Sequence, residues 1–195
     1  MQNSTVDLPA ASTAQHWLKR YYFIRFAVSA IWVAAAFTIA RQSAPIAAAM
    51  LIAYPAWDAV ANFLDASRSG GLARNRSQLL NFVVSALTAV AVGVALGQGM
   101  NAVLVVYGIW AVLAGLFQLT TGVRRWKSAG AQWAMILSGA QSALAGAFFI
   151  KKASGGSVGI VDIAPYAAFG AFYFLVSAIW LTVSDARQGA KGAAA

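Results

Sequence analysis

Apolar residues dominate six long stretches of the chain, and most charged residues fall in the gaps between them. The stretches are Tyr22–Ala40, Ala44–Leu64, Leu79–Leu96, Ala102–Gly122, Ala134–Ile150 and Ala164–Ser184. An α-helix crossing a hydrocarbon core of ~30 Å needs about 20 mostly apolar residues. Each stretch therefore predicts a membrane-spanning helix. The fifth is the shortest and can be extended back to Ala131. The expected fold is an all-α membrane protein: six transmembrane helices arranged as three parallel-repeat hairpins, 22–64, 79–122 and 134–184. A short segment, 1–21, precedes the first span, and a tail, 185–195, follows the last. Residues 1–21 lack the charged start, apolar core and small-residue cleavage site of a signal peptide. They end in the interfacial group Trp17, Lys19, Arg20, Tyr21 and Tyr22, so the first apolar stretch is expected to be an uncleaved span.

Composition agrees. Of the 195 residues, 61% are hydrophobic and 10% charged, and the mean hydropathy is +0.68; soluble domains carry about 25% charged residues. There is no cysteine, which removes disulfides, thiolate metal sites and cysteine nucleophiles. The net charge of +9 is distributed as topology rather than as a nucleic-acid patch, and no nucleic-acid partner is expected. With the amino terminus in the cytoplasm, eleven of the fourteen Lys and Arg fall on the cytoplasmic side. Arg41, Lys151 and Lys152 fall on the other, where Asp162 partly offsets the lysine pair. The expected setting is the bilayer of a bacterial inner membrane, with both termini cytoplasmic.

The odd-numbered stretches align with one another without gaps. Phe26–Phe37, Phe82–Gly93 and Met135–Gly146 superimpose Ser29, Ser85 and Ser138, each followed by Ala or Gly. The even stretches correspond more loosely: Tyr54-Pro-Ala-Trp57 lies opposite Tyr107-Gly-Ile-Trp110. A repeat of two spans enters the membrane from the same side each time, unlike the inverted repeats of many secondary transporters. The run Tyr107–Gly122, with Arg124-Arg125-Trp126, Gln132-Trp133, Leu137-Ser-Gly139 and Ala145-Gly146, resembles the HdeD-like acid-resistance family of short-repeat bacterial membrane proteins. That resemblance implies six inner-membrane helices and an association with the envelope or with acid stress. It implies no chemistry, and Asp58 is not part of the general family pattern.

Two groups of residues are candidates for a role. Gly108, Gly115 and Gly122 recur every seven residues, as do Gly139 and Gly146. Small residues at this spacing let backbones approach in lipid, which predicts a tight interface between the fourth and fifth helices or between protomers of a homo-oligomer. Asp58 is the sharper candidate, because a carboxylate inside a span costs about 2.5–3.5 kcal/mol on insertion scales. It lies about six residues from the end of its stretch, hence ~9 Å deep. Tyr54, Asn62 and Asp65 continue a polar stripe on its face, Arg25 on the adjacent antiparallel helix is its expected ion-pair partner, and Asn81 sits at similar depth. One account is a buried pair that fixes helix register. The other is a protonatable or solute-binding site. The single histidine, His16, precedes the first span, so neither a metal site nor a cofactor is expected. No paired catalytic groups stand out, and no enzyme is expected. The leading expectation is a structural or stress-related membrane protein; the alternative is a small-solute or proton transporter or channel using Asp58 and Arg25.

Overall fold

The structure, a computed structural model, describes residues 8–124 and 132–193, with side-chain surroundings for 16–120, 123 and 136–187. Among the described residues there are six helices: α1 (Leu8–Thr38), α2 (Ala44–Arg68), α3 (Arg76–Leu96), α4 (Met100–Arg124), α5 (Gln132–Ala153) and α6 (Ala164–Ala193). Two short 3-10 turns, Ala40–Gln42 and Ile160–Asp162, stand before α2 and α6; among the described residues there is no strand. Both of those helices begin where the apolar pattern places them, and Pro45 sits in the first turn of α2, where its missing N–H costs nothing. α1 starts earlier than the pattern suggests, so part of the expected lead-in is helical.

Five stretches are long and apolar enough to cross a membrane: His16–Gln42, Ala44–Arg68, Arg76–Leu96, Met100–Thr120 and Ala164–Arg187. α5 is outside that set among the described residues; its last turn carries Lys151 and Lys152. The outward faces are largely apolar, with Leu144 72% exposed. A surface of this kind fits lipid and not water, and helices are the structure that satisfies backbone polar groups there. The protein is a multi-pass helical membrane protein.

The chain divides into two compact units. One comprises the described residues up to Ile31 together with those from Ala168 onward. In it, Lys19 Nζ donates to Asp185 Oδ2 at 2.9 Å. The Arg25 guanidinium lies 4.2 Å from the ring centre of Phe174, and Tyr22 stacks on the same ring at 6.3 Å. This is how an arginine is accommodated beside apolar helices: its plane covers an aromatic face.

The second unit, Trp32–Ala167, packs α2 on α3, α3 on α4 and α4 on α5. The closest of these contacts is α4 on α5, an antiparallel pair interlocked at two glycine steps. At one step Gly115 faces Gly139, and at the other Gly108 faces Gly146. A methyl group on Gly115 would stand 2.5 Å from the Gly139 carbonyl oxygen and 2.6 Å from the Ala143 nitrogen. Four of the five glycines expected to mediate packing are thus spent inside the chain. The surroundings of Gly122 lie outside the described residues, as do the side chains of Arg124, Arg125, Trp126, Gln132 and Trp133.

The far end of this unit is tied by polar contacts. Asn101 Nδ2 donates at 2.8 Å to the carbonyl of Ala153, one of the orphan acceptors at the end of α5. Lys152 pairs directly with Asp162, so the offset read from the sequence is an ion pair. Asp162 also accepts the Gly159 N–H at 2.7 Å. Partial burial pushes the Asp162 carboxyl up, but the hydrogen bonds from Lys152 and Gly159 and the lysine charge outweigh it and hold the group below its ordinary value.

Candidate functional site

Asp58 stands on the inner side of α2, half-buried, about 15 Å along the helix axis from Arg68 at 1.5 Å per residue. Its Oδ2 accepts from Asn62 Nδ2 at 3.0 Å and from Ser85 Oγ of α3 at 2.8 Å. Ser85 in turn accepts from the indole Nε1 of Trp110 on α4 at 3.0 Å. An indole can only donate, so the direction of the whole series is fixed: Trp110 to Ser85 to Asp58. Three consecutive helices are joined by these two bonds. The series starts at an indole that takes up no proton, so it is not a relay between two titratable residues.

One turn before Asp58, Pro55 lies inside α2. Proline has no N–H, and the carbonyl four residues back loses its helical donor. That carbonyl belongs to Leu51, and Tyr107 Oη of α4 donates to it at 2.7 Å. The neighbouring carbonyl, Met50, accepts from Trp32 Nε1 at 2.9 Å. The proline-disturbed turn is therefore held from both sides by aromatic donors. Their rings extend the contact: Trp32 and Tyr54 are 4.9 Å apart between centres, Tyr54 meets Trp110 edge-on at 6.1 Å, and Tyr107 meets Trp110 edge-on at 5.6 Å. Trp110 also touches Tyr166, whose hydroxyl lies 3.1 Å from Ser142 Oγ. Ser142 donates to the Ala111 carbonyl at 2.9 Å.

Tyr107→Phe leaves the buried Leu51 carbonyl without a donor and should lower stability by about 1–3 kcal/mol. In a Pro55→Ala background the helix supplies its own N–H, and the same substitution should cost clearly less. Equal losses of melting temperature in the two backgrounds would refute the clamp.

The structure places the residues expected at the site as follows. Asp58, Asn62 and Tyr54 come together in the second unit, Asn62 by its i+4 bonds to the backbone and side chain of Asp58. Asn81 is half-buried one turn before Ser85 on α3 and makes no side-chain hydrogen bond with the described residues. Asp65 accepts from Gln78 Nε2 at 3.2 Å and so ties the end of α2 to the start of α3. Arg25 belongs to the other unit, where its NH1 donates to the Tyr21 hydroxyl at 3.1 Å. Sequence reasoning missed Ser85, Trp110 and Tyr107 as partners of α2. The signals were present: a serine shared by the aligned stretches, a matching Tyr-x-x-Trp on α4, and a proline inside a span that leaves a carbonyl to be satisfied.

The fold and this site define a class, a multi-pass helical membrane protein with a hydrogen-bonded polar series crossing its interior. Residues 80–151 match the family described as a short repeat of unknown function (DUF308), which is the family of HdeD-like membrane proteins. The match begins within α3 and ends within α5, covering three helices and well under half of the chain. No curated protein and no solved structure matches the chain.

Proposed function

We propose that the chain is a six-span inner-membrane protein of the HdeD-like type, with both termini cytoplasmic and a structural or envelope- and acid-stress-related role that involves no catalysis. The observation carrying the reading is that five interior polar side chains of the second unit are spent on bonds between helices. Asp58, Ser85, Trp110, Tyr107 and Ser142 bind neighbouring helices, as groups do when they fix packing. The family match over 80–151 supports the HdeD-like part. A sixth span follows from packing, since α5 lies glycine to glycine along a helix that is itself long and apolar enough to cross. The distribution of Lys and Arg supports the orientation. The three-hairpin repeat belongs to the same proposal, supported by the burial of both Ser29 and Ser85. So does self-association, through a face other than the four glycines already used.

The test is survival. Cells lacking the protein should lose viability after acid challenge at least tenfold relative to the parent, with survival restored by the wild-type gene. Unchanged survival would remove the stress-related part. A second reading is favoured by one observation, a half-buried carboxylate within a span: a small-solute or proton pathway at Asp58. Flux through wild type and Asp58→Asn separates the two, as set out in the Discussion.

A further inference from the structure

The connection between α2 and α3 leads straight into α3, whose exposed residues begin at its first turn. Asn75 pins the connection from within, its Nδ2 donating to the carbonyls of Ser69 at 2.8 Å and Gly71 at 2.9 Å. The backbone N–H groups of Gly71, Arg74 and Asn75 bond to the carbonyls of Ala66, Gly71 and Leu72. Gly70 and Gly71 supply the positive φ, 95° and 91°, that the turn requires. The two residues flanking the pinned asparagine, Arg74 and Arg76, are both exposed. Neither forms an ion pair among the described residues, and Asp65 at the end of α2 is engaged by Gln78. From Arg76 the exposed residues Leu80, Val83, Leu87, Val90 and Val94 follow at offsets of 4, 7, 11, 14 and 18, which is one face of a helix. Leu80 to Val90 extends about 15 Å, half the thickness of the hydrocarbon core.

We propose that this surface holds an anionic phospholipid, with its phosphate between Arg74 and Arg76 and an acyl chain along Leu80, Val83 and Leu87. Two exposed arginines, one on each side of the pinned Asn75, offer a phosphate the charge and the bidentate donors it binds best. The apolar face that starts one turn below them matches the same molecule's tail. A soluble anion would use only the first of these features, and a lipid without net charge would leave the cationic part unmatched.

Native mass spectrometry of the full chain in detergent, titrated with phosphatidylglycerol or phosphatidylcholine, tests the assignment. The wild type should retain phosphatidylglycerol at least tenfold more tightly than phosphatidylcholine. Each arginine near the surface contributes roughly a fivefold factor, so the Arg74→Gln/Arg76→Gln variant should reduce retention about 25-fold. Arg41→Gln, which removes an exposed charge elsewhere, should leave it unchanged. Leu87→Asn should weaken the same lipid with the charges intact, while glycerol phosphate added in excess should fail to displace it. Equal retention of the two lipids by the wild type, or of phosphatidylglycerol by the wild type and the double arginine variant, overturns the proposal. Displacement by glycerol phosphate, or no effect of Leu87→Asn, overturns the lipid as occupant.

Discussion

Gly115→Ala and Gly146→Ala should each lower the melting temperature of the purified protein, and together they should keep it from accumulating in the membrane fraction. The reason is what an added methyl group would meet. At Gly115 it meets the backbone of Gly139 and Ala143; at Gly146 it meets the Gly108 carbonyl and, at 2.7 Å, the Val112 nitrogen. These obstacles are backbone atoms of a helix, which cannot swing aside as a side-chain end does, so α4 and α5 must separate. Overpacking of this kind costs about 1–3 kcal/mol per site. Alanine returns up to ~1 kcal/mol in helix propensity, which leaves a net loss on the order of 1–2 kcal/mol each. In lipid no hydrophobic drive pulls separated helices back together, so the two losses act on the same interface. Gly93→Ala is the control: the nearest atom to its added methyl is Ile52 Cδ1 at 4.0 Å, and it should be neutral or mildly stabilising. If Gly115→Ala melts with Gly93→Ala, the glycine interlock is not what holds the pair.

The contrast between those glycines shows what was readable in the sequence. The spans stand out because some twenty nearly continuous apolar residues are rarely needed anywhere but in a bilayer, and the seven-residue glycine spacing marks a close approach on one face. Which helices share that face was open between two partners, and the structure selects the one within the chain. Rotation of a span about its axis is harder to read, because a helix apolar on every side carries no stripe that points inward. The segments Phe26-Ala-Val-Ser-Ala-Ile-Trp-Val33 in α1 and Phe174-Leu-Val-Ser-Ala-Ile-Trp-Leu181 in α6 are a case of this. Nearly the same eight residues bury Trp32, 6% exposed, and turn out Trp180, 68% exposed. Tertiary packing decides this, and lipid on the outer side tolerates either result. At the candidate site the polar residues of α2 were legible because they are costly in a span. Their cross-helix partners, a serine and a tryptophan, are ordinary residues of membrane helices and carry no such mark.

Asp58→Ala should destabilise the protein and Asp58→Asn should not, and the behaviour of the asparagine variant decides between the two readings of the site. Asp58 Oδ2 is the acceptor of both Ser85 Oγ and Asn62 Nδ2. Alanine removes that acceptor and leaves donors in the interior, each worth about 1–3 kcal/mol. Deleting the charge recovers part of the cost of placing a carboxylate in a span, so the observed loss should be on the order of 2 kcal/mol. Asparagine keeps an oxygen where the carboxylate oxygen was, and it should hold Ser85 and melt close to the wild type. Ser85→Ala should also destabilise, by about 1–3 kcal/mol, because the buried Trp110 N–H then has no acceptor. Residues acting in one network are not additive, so Asp58→Ala/Ser85→Ala should lose less than the sum of the single losses. These outcomes concern packing alone and follow from either reading. Flux separates them. In proteoliposomes under a pH gradient, a structural carboxylate predicts that wild type and Asp58→Asn are equally tight to protons and small solutes. A working pathway predicts a pH-dependent flux in the wild type that Asp58→Asn abolishes while its melting temperature stays unchanged. Because asparagine removes the titratable charge and keeps the hydrogen-bond acceptor, a loss of flux in that variant cannot be assigned to lost packing.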